Sequence, residues 1–281
     1  MSAYLYVVAT PIGHLEDISA RAIQILREVD LIAAEDTRHA TRLMDAYHIT
    51  TPLTACHEHN ENHKISEIIY KIKQGQSVAL ISDAGTPLIS DPGFKLVRAA
   101  HEEQIRVIPI PGACAAIAAL SAAGLPSDRF SFEGFLPAKA HARQQKLQGL
   151  KTATQTLIFY EAPHRILDCA QDMHDIFGAD RSVTMAREIT KTFETIKKTT
   201  FSQLVDWVKN DPNQQKGEIV LVVAGAPDTG EQDQQKVDDL LKRLLQDLPV
   251  KTASQLAADL TGLKKNELYQ RALQLKAAES L

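Results

Sequence analysis

The chain has 281 residues, 44% of them hydrophobic and 23% charged, which is the composition of an ordinary water-soluble globular protein. Its 31 basic and 35 acidic side chains give a net charge of −4, which excludes a protein that coats nucleic acid with its whole surface but is compatible with local basic patches. No apolar stretch approaches the roughly 18 residues of a membrane-spanning helix, and the N-terminus lacks the basic flank of a signal peptide.

Short apolar runs alternate with helical patterns over the first 112 residues. The predicted strands are Leu5–Ala9, Leu31–Ala34, Val78–Ile81 and Val107–Ile110. Between them, apolar residues at helical spacing predict helices over 18–29, 65–72 and 94–100. Continuous apolar strands joined by helices indicate a parallel sheet covered on both faces. We therefore predict an N-terminal α/β domain over residues 1–112.

A second alternating pattern follows Pro111-Gly112 and a helix of small residues over 113–123. Its predicted strands are 130–132, 157–160, 182–186 and 219–223, with helices over 138–150 and 164–177. This pattern predicts a second α/β domain over residues 113–227.

The remainder of the chain is predicted to be helical. A polar linker at 228–233 precedes an apolar helix stripe that runs from Val237 to Leu245. Two short helices, 252–260 and 264–275, then flank Thr261-Gly262-Leu263 and resemble a helix-turn-helix. We predict a helical appendage over residues 234–281.

The loop Ser82–Gly93 follows a buried strand and holds two carboxylates, two glycines and two prolines. Open α/β sheets bind ligands at the carboxyl ends of their strands, and this loop is longer than an ordinary turn. A ligand site and a connection stiffened by proline are both compatible with this segment alone.

The sequence contains neither GxGxxG nor GxxxxGK[ST], so the common dinucleotide and ATP motifs are unsupported. Other Pro/Gly corners do follow predicted strands, at Pro11-Ile12-Gly13 and at Pro111-Gly112. A ligand bound along these corners would meet the main chain more than charged side chains.

Charged residues also cluster where predicted strands end. They stand in Glu35-Asp36-Thr37-Arg38, Tyr160-Glu161-Ala162-Pro163-His164-Arg165, Arg187-Glu188-Ile189-Thr190-Lys191 and Lys216-Gly217-Glu218. Each motif alone is compatible with a helix cap or a surface ion pair. Their repetition in both halves favours a cleft between the two domains.

No metal site or disulfide is predicted. The chain has three cysteines, Cys56, Cys114 and Cys169. Their odd number and wide spacing favour free thiols in a reducing compartment, and hence a cytosolic protein. His57, His59 and His63 lack the HExxH order, so a polar loop that caps the next helix is favoured over metal ligation, although one histidine could contact substrate or act as a base.

Basic residues concentrate on one predicted helix in this acidic chain. Lys139, Arg143, Lys146 and Lys151 share it, and Lys264-Lys265 opens the last helix. A solvated helix face explains them, but they are also compatible with a polyanionic substrate.

With these motifs in view, the chain resembles the ribosomal RNA small subunit methyltransferase I family of class III S-adenosylmethionine-dependent enzymes. The resemblance runs from Leu5 to the C-terminus. It is carried by Thr10–Ile18, Ala34–Arg38, the Ser82–Gly93 loop, Phe159–Arg165 and Ala186–Glu188. Two positions depart from the family pattern, because His14 replaces the usual asparagine and Ala113 replaces a proline.

The resemblance implies two α/β domains of the tetrapyrrole methylase type, a cofactor cleft between them and a homodimer. It also implies methylation of a cytidine ribose 2′-hydroxyl in the decoding region of 16S rRNA. The implied cofactor contacts are Pro11, Asp83, Ala84, Gly85, Leu88, Cys114, Ala115, Tyr160, Ala186 and Gly217. Candidates for the base, its orienting groups and phosphate contacts are Glu35, Asp36, Arg38, Glu161, Arg187, Glu188 and Lys191. RNA contacts are predicted at Lys139, Arg143, Arg165, Lys264 and Lys265.

Two other functions are compatible with the same sequence. A methylase of the same architecture could act on a tetrapyrrole carbon, but the basic residues and the C-terminal helices argue against it. A non-catalytic RNA-binding assembly factor could retain the fold, but binding alone gives no reason to keep a cofactor cleft.

Overall fold

The computed structural model describes residues 3–57, 61–227 and 231–278. The chain divides into two compact units, Met1–Gly225 and Ala226–Leu281. The first unit holds both β-sheets and the second is helical. The predicted α/β fold with a C-terminal helical segment is thereby confirmed. The division of the first unit into two domains at residue 112 stays a prediction.

The first sheet is parallel throughout, with strand order β3-β2-β4-β1-β5. Its strands are β1 (Leu5–Val8), β2 (Leu31–Ala34), β3 (Leu53–Ala55), β4 (Val78–Ile81) and β5 (Val107–Ile110). Its helices are α1 (Ala20–Glu28), α2 (Thr37–Ala46), α3 (Glu61–Lys73) and α4 (Phe94–Glu102). Along β4, Ala79 and Ile81 join the core with α1 and α2, whereas Val78 and Leu80 join the core with α3 and α4. Both faces are therefore covered, as the apolar strands predicted.

The second sheet is mixed, with strand order β6-β7-β10-β8-β9, and the pair β6–β7 is parallel while the other pairs are antiparallel. Its strands are β6 (Phe130–Phe135), β7 (Thr156–Glu161), β8 (Ser182–Arg187), β9 (Thr195–Thr200) and β10 (Ile219–Val223). Its helices are α5 (Ala115–Ala122), α6 (Ala140–Leu150), α7 (Ile166–Phe177) and α8 (Phe201–Asn210). Strands β3 and β9 and helices α2 and α8 were not predicted from the sequence.

Alternation along the second sheet decides which side chains meet which helices. Tyr160, Ala186 and Val220 join the cluster that contains α5 and Ile12. Their neighbours along the strands, such as Phe159, join the opposite core with α7 and α8. The face that carries Tyr160 is therefore the one directed toward the first half of the chain.

The C-terminal unit is a small helical cluster. It consists of α9 (Glu231–Leu245), α10 (Val250–Thr261) and α11 (Lys265–Ala278). Leu241, Ala257 and Ala272 are fully buried in its core. Gly262 ends α10 in the left-handed conformation, with φ of +73°, as a glycine at a helix end commonly does. None of the helices in the described ranges is both long and apolar enough to cross a lipid bilayer.

We expect Gly149→Ala to stabilise the protein by about 0.5 kcal/mol, because Gly149 is an exposed residue near the end of α6 and alanine has the higher helix propensity. A Cβ at this position would meet no atom within 4 Å. The thermal unfolding midpoint measures the change. Gly178 is the matched control, because its surroundings are equally open but its φ of +100° should make alanine destabilising there.

Candidate active site

A cavity of about 400 Å³ lies between the loops of the two sheets, within the first compact unit. The first half of the chain supplies Ile12 and most of the Ser82–Gly93 loop to its wall. The second half supplies the N-terminus of α5, the ends of β6 and β7, Ile189 and the start of β10. The predicted convergence of strand-end motifs from both halves is thus observed.

Hydrogen bonds between main-chain segments hold the loops of the first half together. The Thr10 N–H donates to the Gly85 carbonyl over 2.9 Å, and the Gly85 N–H donates to the Thr10 carbonyl over 3.1 Å. The Thr86 hydroxyl donates to the Ala113 carbonyl over 2.9 Å, which connects this loop to the segment before α5. The cavity wall is therefore pre-formed by the backbone.

Two loops at the cavity contain non-glycine residues in the left-handed region. Leu88 has φ of +74° and Ser90 of +70°, and across the cavity Glu188 has +53° and Thr190 +64°. Such conformations persist only where surrounding structure enforces them, and they concentrate at functional sites. Their occurrence on both sides of one cavity supports a functional site there.

Aromatic side chains form one wall of the cavity. The Tyr160 hydroxyl accepts a hydrogen bond from the Ala116 N–H over 3.1 Å, and burial raises the pKa of Tyr160 well above its usual value. Its ring contacts Phe132 and Phe135 edge-on, with centroid separations of 4.9 and 5.7 Å. Phe135 lines the cavity but remains 53% exposed. Phe135 was not predicted as a site residue, because the predicted strand ended at residue 132 and β6 extends to Phe135.

Seven of the ten predicted cofactor contacts line this cavity: Asp83, Ala84, Gly85, Cys114, Ala115, Tyr160 and Gly217. Pro11 precedes the lining residue Ile12, Leu88 packs against the core beneath α3 and α4, and Ala186 is fully buried. None of these three lines the cavity. All ten cofactor contacts stay predictions.

Glu161 does not present its carboxylate as a free base. Its side chain is fully buried, and Oε1 accepts a hydrogen bond from the Ala162 N–H over 2.7 Å. The same oxygen lies 3.2 Å from Nε of Arg165, whose Nη2 donates to the Leu136 carbonyl over 2.7 Å. This network occupies Arg165 as well, which argues against the predicted RNA contact of that guanidinium.

Arg187 continues the row of Met185 and points toward the core with α7 and α8. It is buried, and its Nη2 donates to the Phe193 carbonyl over 3.0 Å. This contact joins the end of β8 to the end of the loop that leads to β9. The geometry favours a structural role for Arg187 over the predicted catalytic one.

Glu188, Lys191 and Glu218 form an ionic cluster at the cavity. Oε1 of Glu188 accepts hydrogen bonds from the Glu218 N–H over 2.8 Å and from Lys191 Nζ over 3.0 Å, and Nζ also lies 3.1 Å from Oε2 of Glu218. Burial alone would raise the pKa of Glu188, but these hydrogen bonds hold it below its usual value. Both members of the predicted pair Glu188 and Lys191 are therefore charged and mutually engaged.

The end of β2 forms a second polar cluster with Asp83. Oδ1 of Asp83 accepts a hydrogen bond from the Asp36 N–H over 3.1 Å, and Oδ2 lies 3.0 Å from His39 Nδ1. Asp36 pairs with Arg38 over 2.6 Å, which holds the pKa of Asp36 far below its usual range. The Arg38 side chain is 88% exposed, and Glu35 is half-buried beside them. Arg38 thus retains access to a substrate phosphate.

The basic residues of α6 are only partly available to RNA. Arg143 is buried, and its Nε lies 2.6 Å from Oδ2 of Asp172, so its burial contradicts the predicted phosphate contact. Lys139 is exposed, as are Lys264 and Lys265 at the start of α11. RNA contacts at these three lysines therefore stay predictions.

Metal ligation finds no support in the described ranges, where no group of three or more His, Cys, Asp and Glu side chains could hold an ion. Residues 58–60 of the histidine-rich segment, including His59, lie outside those ranges. Cys56, Cys114 and Cys169, which all lie in the described ranges, take part in no disulfide.

Solved structures with a similar fold include methyltransferases. The chain superposes on uroporphyrin-III-C-methyltransferase from Thermus thermophilus with a TM-score of 0.57 and 17% identity, covering 79% of this chain and 94% of that one. The methyltransferase CobJ gives a TM-score of 0.60 and 18% identity over 80% and 95% of the two chains. At these identities the likeness establishes the fold alone. The sequence profile of the tetrapyrrole (corrin/porphyrin) methylases matches residues 4–205, which defines the class.

Curated relatives narrow the class. Ribosomal RNA small subunit methyltransferase I of Pseudomonas aeruginosa is 58% identical over 272 residues, 96% of both chains. The enzyme of the same name from Escherichia coli O157:H7 is 51% identical over 96% of this chain and 94% of its own. A profile described as the RsmI C-terminal HTH domain matches residues 231–276. The chain therefore belongs to the ribosomal RNA small subunit methyltransferase I family of the tetrapyrrole methylases.

Proposed function

We propose that this methyltransferase moves the methyl group of S-adenosylmethionine to the 2′-hydroxyl of a cytidine in the decoding region of 16S rRNA. The observation that carries the proposal is the cavity bounded by strand-end loops of both sheets, in a chain 58% identical to a relative named for ribosomal RNA methylation. The experiment that tests this proposal measures the transfer of a labelled methyl group to a ribose.

The residues at the cavity fit this cofactor. A volume of about 400 Å³ is suited to a ligand of its size, and Ala84, Gly85 and Ala115 leave the main chain accessible. Asp83 offers carboxylate oxygens to ligand hydroxyl or ammonium groups, and Tyr160 and Phe135 offer aromatic surface. The cofactor supplies a methyl group already activated by its sulfonium, so the protein mainly aligns the transfer and handles one proton.

The RNA is proposed to contact exposed cations. Arg38 lies beside Asp83, next to the cavity, and Lys139, Lys264 and Lys265 are exposed on α6 and at the start of α11. Counterion release from phosphate contacts should make affinity for RNA fall with salt. We also propose a homodimer that acts in the cytoplasm. The exposed side chains of Phe94 and Phe193 support the dimer, and the lack of disulfides among the three cysteines supports the compartment.

The test incubates the purified protein with S-adenosylmethionine labelled in its methyl group and with 30S subunits or partly assembled particles. We expect label in RNA, released as a 2′-O-methylcytidine after digestion. Label on a porphyrinogen alone would favour a tetrapyrrole methylase, and cofactor binding without transfer to RNA would favour an assembly factor. Sedimentation of the same preparation measures the proposed dimer.

Asp83→Ala should weaken cofactor binding about tenfold, which corresponds to the loss of one hydrogen bond to a charged group. Asp83 lines the cavity and also fixes the Asp36 main chain, so both ligand contact and loop position are affected. Calorimetric titration with S-adenosylmethionine measures the affinity. His39→Ala is the control, because it removes the 3.0 Å partner of Asp83 but keeps the carboxylate. Equal affinity in Asp83→Ala and the unmodified protein would remove Asp83 from the site.

A further inference from the structure

We propose that Asp91 is the catalytic residue that accepts the proton of the ribose hydroxyl during methyl transfer. Asp91 lies in the Ser82–Gly93 loop and lines the cavity, and it was not among the predicted site residues. The inference rests on the proposed function, because only transfer to a hydroxyl requires removal of this proton.

The other carboxylates at the cavity are engaged. Both oxygens of Asp83 have partners, the Asp36 N–H at 3.1 Å and His39 Nδ1 at 3.0 Å. Glu161 is bound to Arg165 and to the Ala162 N–H. Accepting a proton would weaken the charge-assisted contacts that each of these carboxylates makes.

Glu218 is engaged as well, and it lies mostly in solvent. Its Oε2 lies 3.1 Å from Lys191 Nζ, and its side chain is 74% exposed. Asp91, in contrast, is half-buried. A half-buried acceptor at the cavity removes a proton from a bound hydroxyl more effectively than a solvated ion pair at its edge.

The backbone around Asp91 is tightly constrained. Ser90 before it has φ of +70°, Pro92 follows it, and Gly93 has φ of +124°. A Cβ at Gly93 would lie 2.8 Å from Leu80 Cδ2, so the loop passes close to the end of β4. The main chain on both sides of Asp91 is thereby held at the cavity by conformations that the surrounding structure has to enforce.

The electrostatic surroundings of Asp91 suit a base. Burial raises the pKa of Asp91, the negative charge of Asp83 raises it further, and a hydrogen bond from Ser82 opposes them without cancelling the rise. On the opposite wall, the charge of Asp91 contributes to the raised pKa of Tyr160, after burial and the neighbouring Cys114. Asp83 and Tyr160 are thus the titratable groups whose charges interact with Asp91. A carboxyl pKa nearer to neutrality makes a better general base.

The step balances in atoms and charge. The ribose oxygen forms a bond to the methyl carbon as the carbon–sulfur bond breaks, and the bonding pair returns to the sulfur, which becomes a neutral thioether. The hydroxyl proton passes to the Asp91 carboxylate, which becomes a neutral acid and later releases the proton to solvent. No oxidant, metal or second co-reactant is needed.

The test compares Asp91→Asn, which keeps the size of the side chain, with the unmodified protein on a ribosomal RNA substrate. We expect kcat to fall about 100-fold, as for loss of a general base, while the Kd for S-adenosylmethionine changes less than twofold. We also expect kcat of the unmodified protein to fall as the pH drops through the raised pKa of Asp91, and this limb to vanish in Asp91→Asn. Asp175→Asn is the matched control, because Asp175 is an exposed carboxylate on α7.

Each outcome decides the proposal. Unchanged kcat in Asp91→Asn overturns it while the proposed function stands, and so does a cofactor Kd that weakens in step with the rate. If Asp91→Asn does not fold, an unmodified protein without an acidic limb in kcat overturns it, whereas residual activity of Asp91→Glu with a shifted limb supports it. If the unmodified protein transfers no methyl group to RNA, the proposed function fails and this inference falls with it.

Discussion

Gly217→Ala is expected to lower kcat/KM for RNA methylation about 100-fold, because it displaces the cavity wall by about 1 Å. Gly217 has φ of +79°, and a Cβ there would lie 2.4 Å from the carboxylate of Glu188. That carboxylate cannot move freely, since it accepts hydrogen bonds from the Glu218 N–H and Lys191 Nζ. The left-handed conformation adds about 1 kcal/mol of strain for alanine.

Steady-state kinetics of the folded variant measure the effect, and Gly149→Ala controls for the added methyl group. The double variant Gly217→Ala/Glu188→Ala separates crowding from backbone strain. If crowding dominates, the double variant should be no less active than Gly217→Ala, so that the two substitutions are not additive. Activity of Gly217→Ala within threefold of the unmodified protein would show that the wall tolerates this displacement.

The alternating architecture was readable from the sequence because apolar strands and amphipathic helices differ in period. The order of the strands was not readable, since it depends on contacts between segments far apart in the chain. Strand β3 has three residues, and β9 carries Lys197 and Lys198 at the sheet edge, so neither shows a continuous apolar run. Such short or polar edge strands owe their conformation to the neighbouring strand.

Part of the site could be predicted from the sequence, and the predictions that the structure argues against have one physical origin. Loops rich in glycine and proline indicate where the main chain meets a ligand. A charged residue beside such a loop can point to either face of the sheet, and the loop does not show which. Tyr160 and Ala186 lie on the sheet face that packs against α5, so the side chains of their neighbours Glu161 and Arg187 lie on the opposite face, and this period of two was available in the sequence. Arg143 similarly stands one helical turn before the buried Leu147, which placed it on the inner face of α6.

Glu161→Gln should lower the free energy of unfolding by about 3 kcal/mol, the lower end of the cost of breaking a buried ion pair. The substitution leaves the Arg165 guanidinium largely buried without its charged partner, although the Leu136 carbonyl still accepts one of its hydrogen bonds. Methyl transfer by the folded variant should stay within about threefold of the unmodified protein, because the Glu161 carboxylate is fully buried and engaged by Arg165 and by the Ala162 N–H.

Urea unfolding followed by the fluorescence of Trp207 suits this measurement, because Trp207 is the only tryptophan and packs in α8 against the same core. The signal therefore reports on the sheet that carries Glu161 and not on the separate C-terminal unit. Glu161→Gln/Arg165→Gln should recover part of the loss, since no uncompensated charge remains. A stable Glu161→Gln protein with kcat reduced by 100-fold or more would instead restore Glu161 as a catalytic residue and displace Asp91 from that role.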